Sequence, residues 1–191
     1  MEEQKERVII FIDGSNLYHI IRNMFRPSLK LKHFNFGKFT KFISGKNKLI
    51  RTYYYNSPLD RKKDSESYKK QQKFFEKLNR IPDFKLILCR MQKVTIGGRT
   101  VYQVKEDDIH LAVDMVRLAY NNAYDRAILI SSDGDFSPAV QAVQEVGKNV
   151  ENIGFENKFS YHLQQQCDTA KIIRKGDVMK FFEQVKFKGR H

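Results

Sequence analysis

Two short hydrophobic runs without polar alternation stand out in the sequence. Residues 8–12 read Val-Ile-Ile-Phe-Ile and are followed by Asp-Gly, and residues 126–131 read Arg-Ala-Ile-Leu-Ile-Ser. Such runs favour strands that are buried on both faces of a parallel sheet. Residues 49–56 and 149–153 are predicted as two further strands.

Apolar residues at helical spacing predict helices between these strands. The predicted helices cover residues 15–25, 34–44, 67–79, 107–121 and 136–146. Gly147 is the predicted stop of the last one, because glycine adopts the left-handed conformation that commonly ends a helix. Strands that alternate with helices imply right-handed crossovers, so the sequence predicts an α/β fold with a mostly parallel sheet and helices on both faces.

A β-hairpin is predicted between the third and fourth helices. Residues 84–95 and 99–105 flank Ile96-Gly97-Gly98, and a glycine pair between two β-prone segments is typical of a tight turn. No linker divides the 191 residues, so we expect a single domain spanning residues 1–191. Its basic tail, residues 174–191, is predicted to form either a docking helix or a mobile arm.

Lysine and arginine outnumber the acidic residues, 35 against 22, which gives a formal net charge of +13. Contacts with phosphate make nucleic acid the commonest partner of so basic a chain, although a merely basic surface has the same composition. No hydrophobic run approaches the roughly 18 residues of a membrane span, and the N-terminus lacks the pattern of a signal peptide. The two cysteines, Cys89 and Cys167, indicate neither a disulfide framework nor a zinc site. We therefore expect a cytoplasmic protein without a membrane partner.

Acidic residues stand where three of the predicted β segments end. Asp13 follows the first strand, Asp107 and Asp108 follow the hairpin, and Asp133 and Asp135 follow the second buried run. In an open parallel sheet ligands bind beyond the carboxyl ends of the strands, so these acids are expected to gather at one edge. Carboxylates a few ångströms apart raise one another's pKa, and such a cluster needs a cation or a proton to persist.

Oxygen ligands without His or Cys indicate Mg²⁺ or Mn²⁺ rather than zinc. Metal ions held by carboxylates activate water and stabilise the charge that develops when a phosphodiester is hydrolysed. Taken singly, the acids have simpler explanations: Asp13 in a turn, Asp107 or Asp108 as a helix N-cap, and Asp133 with Asp135 in the loop before a helix. Three segment ends with the same chemistry favour a shared metal site.

Helix geometry separates Asp114 from this group. At about 100° per residue it lies about 240° round the predicted helix from Asp108 and roughly 9 Å along its axis. The predicted sheet-facing side consists of Ile109, Ala112, Val113, Val116 and Ala119. Asp114 is then expected to point away from the sheet, where it would order a neighbouring helix or a contact between protomers. A homo-oligomer therefore stays open.

Three motifs carry these acids. They are Phe11-Ile-Asp-Gly-Ser-Asn-Leu-Tyr18, Lys105-Glu-Asp-Asp108 with Leu111-Ala-Val-Asp-Met115, and Ser131-Ser-Asp-Gly-Asp-Phe136. In this order, over about residues 7–155, they resemble the NYN domains, particularly the LabA-like branch, of the PIN-like nuclease superfamily. The resemblance implies a Rossmann-like (PIN-like) three-layer α/β/α sandwich that cleaves RNA or a related nucleic acid with a divalent metal.

The resemblance also implies roles for individual residues. Asp13, Asp108, Asp133 and Asp135 become the expected catalytic and metal-binding residues. Asp114 matches the aspartate of the family's Ala-Val-Asp-Met stretch and therefore stays a second-tier candidate.

Asp107 joins that second tier, because the family often has Lys-Gly-Val-Asp where this chain has Lys-Glu-Asp-Asp, so Asp107 competes with Asp108 as a ligand. Ser132 stands where a glycine is common and narrows access to the backbone. It is a candidate substrate-binding residue, together with Asn16 and Lys105. Asn16 also suits a plain helix cap, and Lys105 a solvated strand end.

The sequence suggests two alternatives to a metal-dependent endoribonuclease. A haloacid-dehalogenase-like phosphatase needs an acid two residues after its nucleophile, where this chain has Ser15, and is rejected. A non-catalytic module that binds RNA or protein on the same fold remains the alternative. The three consecutive tyrosines at 53–55 alternate across a strand, so at least one is expected in the core and others are expected to stack on bases near the cleft.

Overall fold

The computed structural model describes residues 5–25, 29–89, 92–96, 99–103 and 106–182, with the backbone alone for 92–96 and 99–103. Its strands are β1 (Arg7–Asp13), β2 (Lys48–Asn56), β3 (Phe84–Leu88), β4 (Gln92–Ile96), β5 (Arg99–Gln103), β6 (Arg126–Ile130), β7 (Asn149–Phe155) and β8 (Thr169–Ile173). Its α-helices are α1 (Gly14–Phe25), α2 (Phe36–Ser44), α3 (Ser65–Asn79), α4 (Glu106–Tyr120), α5 (Ser137–Glu145), α6 (Tyr161–Gln166) and α7 (Lys175–Met179). Single turns of 3-10 helix cover Leu31–His33 and Gly134–Phe136.

Six of the strands form one sheet in the order β3-β2-β1-β6-β7-β8, and each neighbouring pair is parallel. β4 and β5 form a separate antiparallel pair. The sheet order reverses its direction between β1 and β6, which is where doubly wound α/β folds bind their ligands. The predicted α/β fold with an added hairpin is confirmed.

Both faces of the sheet are covered, because side chains alternate along each strand. Ile10 and Ile12 of β1 pack on one face with residues of α1, α2, α3 and α7. Ile9 and Phe11 point to the other face, where they pack with residues of α4 and α5. The unbroken hydrophobic run of β1 is therefore a strand between two layers of helices.

The two edge strands of the sheet, β3 and β8, differ from the sequence-based expectation. Residues 84–95 were expected to form one hairpin arm, but β3 ends at Leu88 and pairs with β2, and β4 is a separate strand. Gly97 and Gly98 lie outside the described residues. β8 was not predicted, because four of its five residues are exposed and give it no hydrophobic run.

The buried side of α4 also differs from the predicted one. Leu111 and Met115 are fully buried, whereas Ile109 and Val113 are 62% and 56% exposed. Asp107 lies on the same buried side, four residues before Leu111. Steps of four residues that start at Asp107, rather than at Ile109, define the face that packs against the sheet.

The described part of the basic tail packs on the domain. α7 follows β8 directly, and Phe181 beyond it is 7% exposed, with ring contacts to Phe34, Phe39 and Phe42. Up to residue 182 the tail is therefore docked, and residues 183–191 lie outside the described part. No helix among the described residues has the length and apolar character that a membrane crossing requires.

Candidate functional site

The ends of β1 and β6 lie side by side at the point where the sheet order reverses. Ile12 pairs with Ile130 in register, so the next residues of the two strands, Asp13 and Ser131, are neighbours. The Ser131 hydroxyl donates a hydrogen bond to Asp13 Oδ2 over 3.1 Å. This hydrogen bond joins the ends of the two central strands at the candidate site.

Asp13 is a buried carboxylate at the start of α1. It is 5% exposed, and its Oδ1 accepts a hydrogen bond of 2.9 Å from the backbone N–H of Asn16. Burial raises the pKa of Asp13 from 3.8 to about 7, and the negative charges of Asp108 and Asp107 act in the same direction. The hydrogen bonds from Asn16 and Ser131 oppose this shift without cancelling it.

Gly14 brings the start of α1 close to β2. A Cβ atom built on Gly14 would lie 2.4 Å from Cε1 of Tyr54 and 2.5 Å from the carbonyl oxygen of Tyr55. A side chain at this position would push α1 and β2 apart. Glycine is therefore required here by the close approach of α1 and β2, directly after Asp13.

The first turn of α4 contributes two acids with different surroundings. Asp107 is 4% exposed and accepts hydrogen bonds from the hydroxyls of Ser15, over 3.2 Å, and Ser57, over 3.5 Å. Asp108 is the more exposed of the two. Its pKa is raised by partial burial and then by the charges of Asp107, Asp133 and Asp135.

The loop after β6 is folded around Asp133. Its backbone N–H donates to the Ser131 hydroxyl over 3.1 Å, and its Oδ1 accepts from the backbone N–H of Asp135 over 3.0 Å. Ser132 donates to Asn16 Oδ1 from both its backbone N–H, over 3.2 Å, and its hydroxyl, over 3.0 Å. The loop thereby ties β6 to α1.

These residues surround a cavity of about 340 Å³. Its walls are formed by Asp13, Ser15, Asn16, His19, Asp107, Asp108, Asp133 and Lys158. Four carboxylates thus face one space together with two basic side chains, His19 and Lys158. Repulsion between the carboxylates accounts for part of the raised pKa values of Asp13 and Asp108.

Residues 7–173 of the chain match the family model of the NYN domain. The chain belongs to the NYN domain family. NYN domains are grouped with the PIN-like nucleases, so the family is nuclease-like and implies a nucleic-acid partner.

Two proteins of unknown function resemble this NYN domain. The uncharacterised protein MJ0482 of Methanocaldococcus jannaschii is 39% identical over 61 residues, which are 32% of this chain. The match spans only 25% of that relative's own length. The crystal structure of the protein VPA0982 from Vibrio parahaemolyticus superposes with a TM-score of 0.69 at 23% identity, over 91% of this chain and 96% of its own. This second likeness shows the fold alone.

In the fold of this NYN domain, most of the site residues predicted from the sequence lie around one cavity. Asp13, Asp108, Asp133 and Asn16 line the cavity. Asp107 and Asp108, the two adjacent acids expected to compete as metal ligands, both lie in the cavity wall.

Two other residues from the sequence analysis do not line the cavity. Asp135 is exposed and acts on Asp108 through its charge, but it does not line the cavity. Ser132 contacts the site through Asn16. Lys105 lies outside the described residues.

Asp114 lies away from the cavity, and the reason given from the sequence was wrong. Seven residues after Asp107, it is on the same side of α4 and faces the sheet, where Asp114 Oδ2 accepts a hydrogen bond of 3.0 Å from the Tyr55 hydroxyl. Its other oxygen accepts from Arg117 over 2.8 Å. Asp114 therefore joins α4 to β2 at a distance from the cavity.

The expectation that some of the three tyrosines of β2 stack on bases is also wrong. Tyr53 is 8% exposed, and Tyr54 and Tyr55 are completely buried.

The sequence analysis missed two residues that line the cavity, His19 and Lys158, and two serines that hydrogen-bond to its carboxylates, Ser57 and Ser131. His19 follows Ser15 by four residues and is therefore on the same face of α1, a spacing that could have identified it. Lys158 lies beyond the end of β7, where only acids had been considered. Ser57 and Ser131 each follow a strand end, but serine is so common in turns that nothing marks them.

The donor chemistry of the cavity fits a divalent metal ion, although the side chains are not already arranged as a metal site. Among the described residues, no three His, Cys, Asp or Glu side chains are grouped so that they could hold a metal ion. Mg²⁺ is typically held by one or two carboxylates and keeps several waters, so it does not need three protein ligands. The mutual repulsion of Asp13, Asp107 and Asp108 is what a bound cation would relieve.

Proposed function

We propose that this NYN domain is a LabA-like, Mg²⁺- or Mn²⁺-dependent endoribonuclease that hydrolyses RNA phosphodiester bonds. The observation that carries the proposal is the set of four carboxylates in one cavity at the reversal of the sheet order. A buried acid whose pKa is raised by like charges is a recognised mark of a functional site. The family provides the reaction class, and the formal net charge of +13 suits a polyanionic substrate.

The residues assigned to the metal are Asp13, Asp108, Asp133 and Asp135, with Asp107 as a competing ligand. Asp13 and Asp133 are held in place by the Ser131 hydroxyl, which donates to one and accepts from the other. A divalent ion at this position would lower the pKa of water and neutralise charge that develops on the phosphate. Asp135 is included because of the family resemblance, although its side chain does not line the cavity.

The remaining cavity residues would hold the substrate. Lys158 and His19 are basic groups opposite the carboxylates, and each can bind a phosphate oxygen. The Asn16 Oδ1 atom is occupied by the two bonds from Ser132, so its amide nitrogen is the part that faces a ligand. Asp107, closed in by Ser15 and Ser57, fixes the start of α4 and adds negative charge behind Asp108.

The proposal is tested by cleavage of labelled single-stranded and structured RNA with Mn²⁺, with Mg²⁺ and with EDTA. Asp13→Asn and Asp133→Asn are expected to reduce cleavage by at least about a hundredfold, because each removes a charge from the cavity. The matched control is Asp177→Asn, the same change in charge at a half-exposed residue of α7, whose carboxylate forms an ion pair with Lys180. Its cleavage rate is expected to equal that of the wild type.

Cleavage that persists in EDTA, or in both cavity variants, contradicts the proposal. Salt-sensitive RNA binding without any metal-dependent turnover supports the alternative of a non-catalytic binding module. Metal binding alone does not distinguish the two functions, so turnover is the required readout.

A further inference from the structure

Two exposed aromatic rings stand beside the acidic cavity, and neither belongs to the site described above. Phe159 is 40% exposed and Tyr161 is 71% exposed, and their ring centroids are 6.3 Å apart with 42° between the ring planes. Phe159 lies in the connection between β7 and α6, and Tyr161 is the first residue of α6. We define this pair as the aromatic platform.

The connection that carries the platform forms one wall of the cavity. Lys158, the residue before Phe159, lines the cavity itself. Ser160, which separates Phe159 from Tyr161 in the sequence, is close to Gly134. A Cβ atom on Gly134 would lie 3.5 Å from the Ser160 hydroxyl oxygen. Gly134 directly follows the cavity residue Asp133. The platform therefore lies next to the loop that carries one of the cavity carboxylates.

The platform is fixed to the fold. The turn before it is closed by two backbone hydrogen bonds between Phe155 and Lys158, of 2.9 and 3.2 Å. The amide nitrogen of Asn157 donates to the carbonyl of Ile20 in α1 over 3.1 Å.

Phe159 itself lies against the backbone of β7. A Cβ atom on Gly154 would be 2.9 Å from the Cβ of Phe159, so only glycine leaves room for Phe159 in this position. Phe159 is therefore presented to solvent in a defined place, with little ordering of this residue left to occur when a ligand binds.

We propose that the aromatic platform binds unpaired bases of a single-stranded nucleic acid, RNA in the first instance, whose backbone passes Lys158 into the acidic cavity. Every base has a π-face that can stack on an aromatic ring, whereas paired bases in a duplex are already stacked. A cation beside an aromatic pair is the usual combination in proteins that bind single strands. This inference rests on the proposed nuclease function and adds to it a stacking site for bases beside the cavity.

Three other exposed hydrophobic residues, all on α4, do not share this setting. Ile109, Val113 and Tyr120 form a stripe along α4, but nothing in the described part of the chain indicates what would cover it. Tyr120, at the end of α4, is 66% exposed and is separated from Asp107 by most of the helix. It therefore provides a matched control for Tyr161.

The test measures the Kd for fluorescein-labelled single-stranded oligouridylate by fluorescence anisotropy, in EDTA so that no cleavage occurs. Tyr161→Ala is expected to raise the Kd about fivefold or more, which corresponds to the lower limit for one stacked base. Tyr161→Phe retains the ring and is expected to stay within about twofold of the wild type, as is Tyr120→Ala. For an RNA duplex, Tyr161→Ala is expected to change the Kd by less than about twofold. The matched DNA strand is measured alongside, because stacking does not by itself distinguish RNA from DNA.

Each outcome separates the platform from the nuclease. If Tyr161→Ala binds the single strand as tightly as Tyr120→Ala does, or if the wild type does not bind it, the platform is refuted whether or not RNA is cleaved. An equal loss of affinity for single strand and duplex also refutes base stacking. Loss of single-strand affinity in Tyr161→Ala without turnover in any metal supports the platform and contradicts the nuclease.

Discussion

The buried carboxyl of Asp13 is expected to make the metal-free protein less stable as the pH rises. In the folded chain its pKa is raised from 3.8 to about 7, whereas in the unfolded chain water surrounds the side chain. Between about pH 4 and pH 7 the folded state therefore holds a proton that the unfolded state has released. The stabilisation is fully present below about pH 4 and is lost as the pH rises through about 7.

The magnitude follows from the size of the pKa difference. The step from 3.8 to about 7 is about three pKa units, and each unit corresponds to about 1.4 kcal/mol of free energy. Asp13 alone thus lowers the free energy of unfolding by about 4 kcal/mol between pH 4 and pH 8. This is a large share of the roughly 5–15 kcal/mol that stabilises an ordinary domain.

The variant Asp13→Asn removes this titration. Its amide oxygen can still accept the bond from the Asn16 N–H. Urea unfolding of both proteins in EDTA, at several pH values from 4 to 8, is expected to show a difference in stability that grows by about 1.4 kcal/mol per pH unit in favour of the variant, up to pH 7. A difference that is independent of pH would refute the reasoning.

Asp125 provides a control of opposite sign at the other end of the sheet. A hydrogen bond from Arg7 lowers its pKa from 3.8 to about 2, so its contribution is present above about pH 4 and is lost as the pH falls towards 2. Because its side chain is 38% exposed, solvent screening limits this contribution to about 1 kcal/mol. Asp125→Asn is therefore expected to be slightly less stable than the wild type at neutral pH.

Three further perturbations test the site. Mn²⁺ at a hundred times its Kd is expected to stabilise the wild type against urea by about 2.7 kcal/mol, and equal stabilisation of Asp13→Asn would place the ion elsewhere. Gly14→Ala is expected to cost about 1–3 kcal/mol in thermal unfolding through the clash with Tyr54, whereas Gly176→Ala, which has no atom within 4 Å of the added methyl group, is expected to lose nothing; equal stability of the two variants contradicts the close approach. Lys158→Gln is expected to reduce the slope of log affinity against log salt by about 0.7 for single-stranded RNA, and an unchanged slope means that Lys158 binds no phosphate.

The sequence was sufficient to predict the strands that lie in the middle of the sheet. β1 and β6 are buried on both faces, and continuous burial produces the unbroken hydrophobic runs by which they were recognised. Edge elements carry no such pattern. β8 exposes four of its five residues, and its position is determined by pairing with β7, which is a contact between distant parts of the chain.

Adjacent acids show where sequence reasoning about the site ends. The gathering of Asp13, Asp107, Asp108 and Asp133 follows from the rule that ligands bind at the carboxyl ends of parallel strands. Asp107 is the buried one of the two adjacent acids. It accepts hydrogen bonds from the hydroxyls of Ser15 and of Ser57, which directly follows β2. A hydrophobic pattern does not reveal hydrogen bonds to a buried carboxylate. For the same reason, the pattern predicted Ile109 rather than Asp107 on the buried face of α4.

The β4–β5 hairpin gives this fold a replaceable part. It is inserted between the end of β3 and the start of α4, at the edge of the sheet where the acidic cavity lies, and it pairs with no strand of the six-stranded sheet. Its length and sequence can therefore change without altering the register of any pair in that sheet. A hairpin grafted from another protein would leave the strand pairing of the six-stranded sheet, and with it the core of the domain, unchanged. Engineering of what this scaffold recognises can begin there.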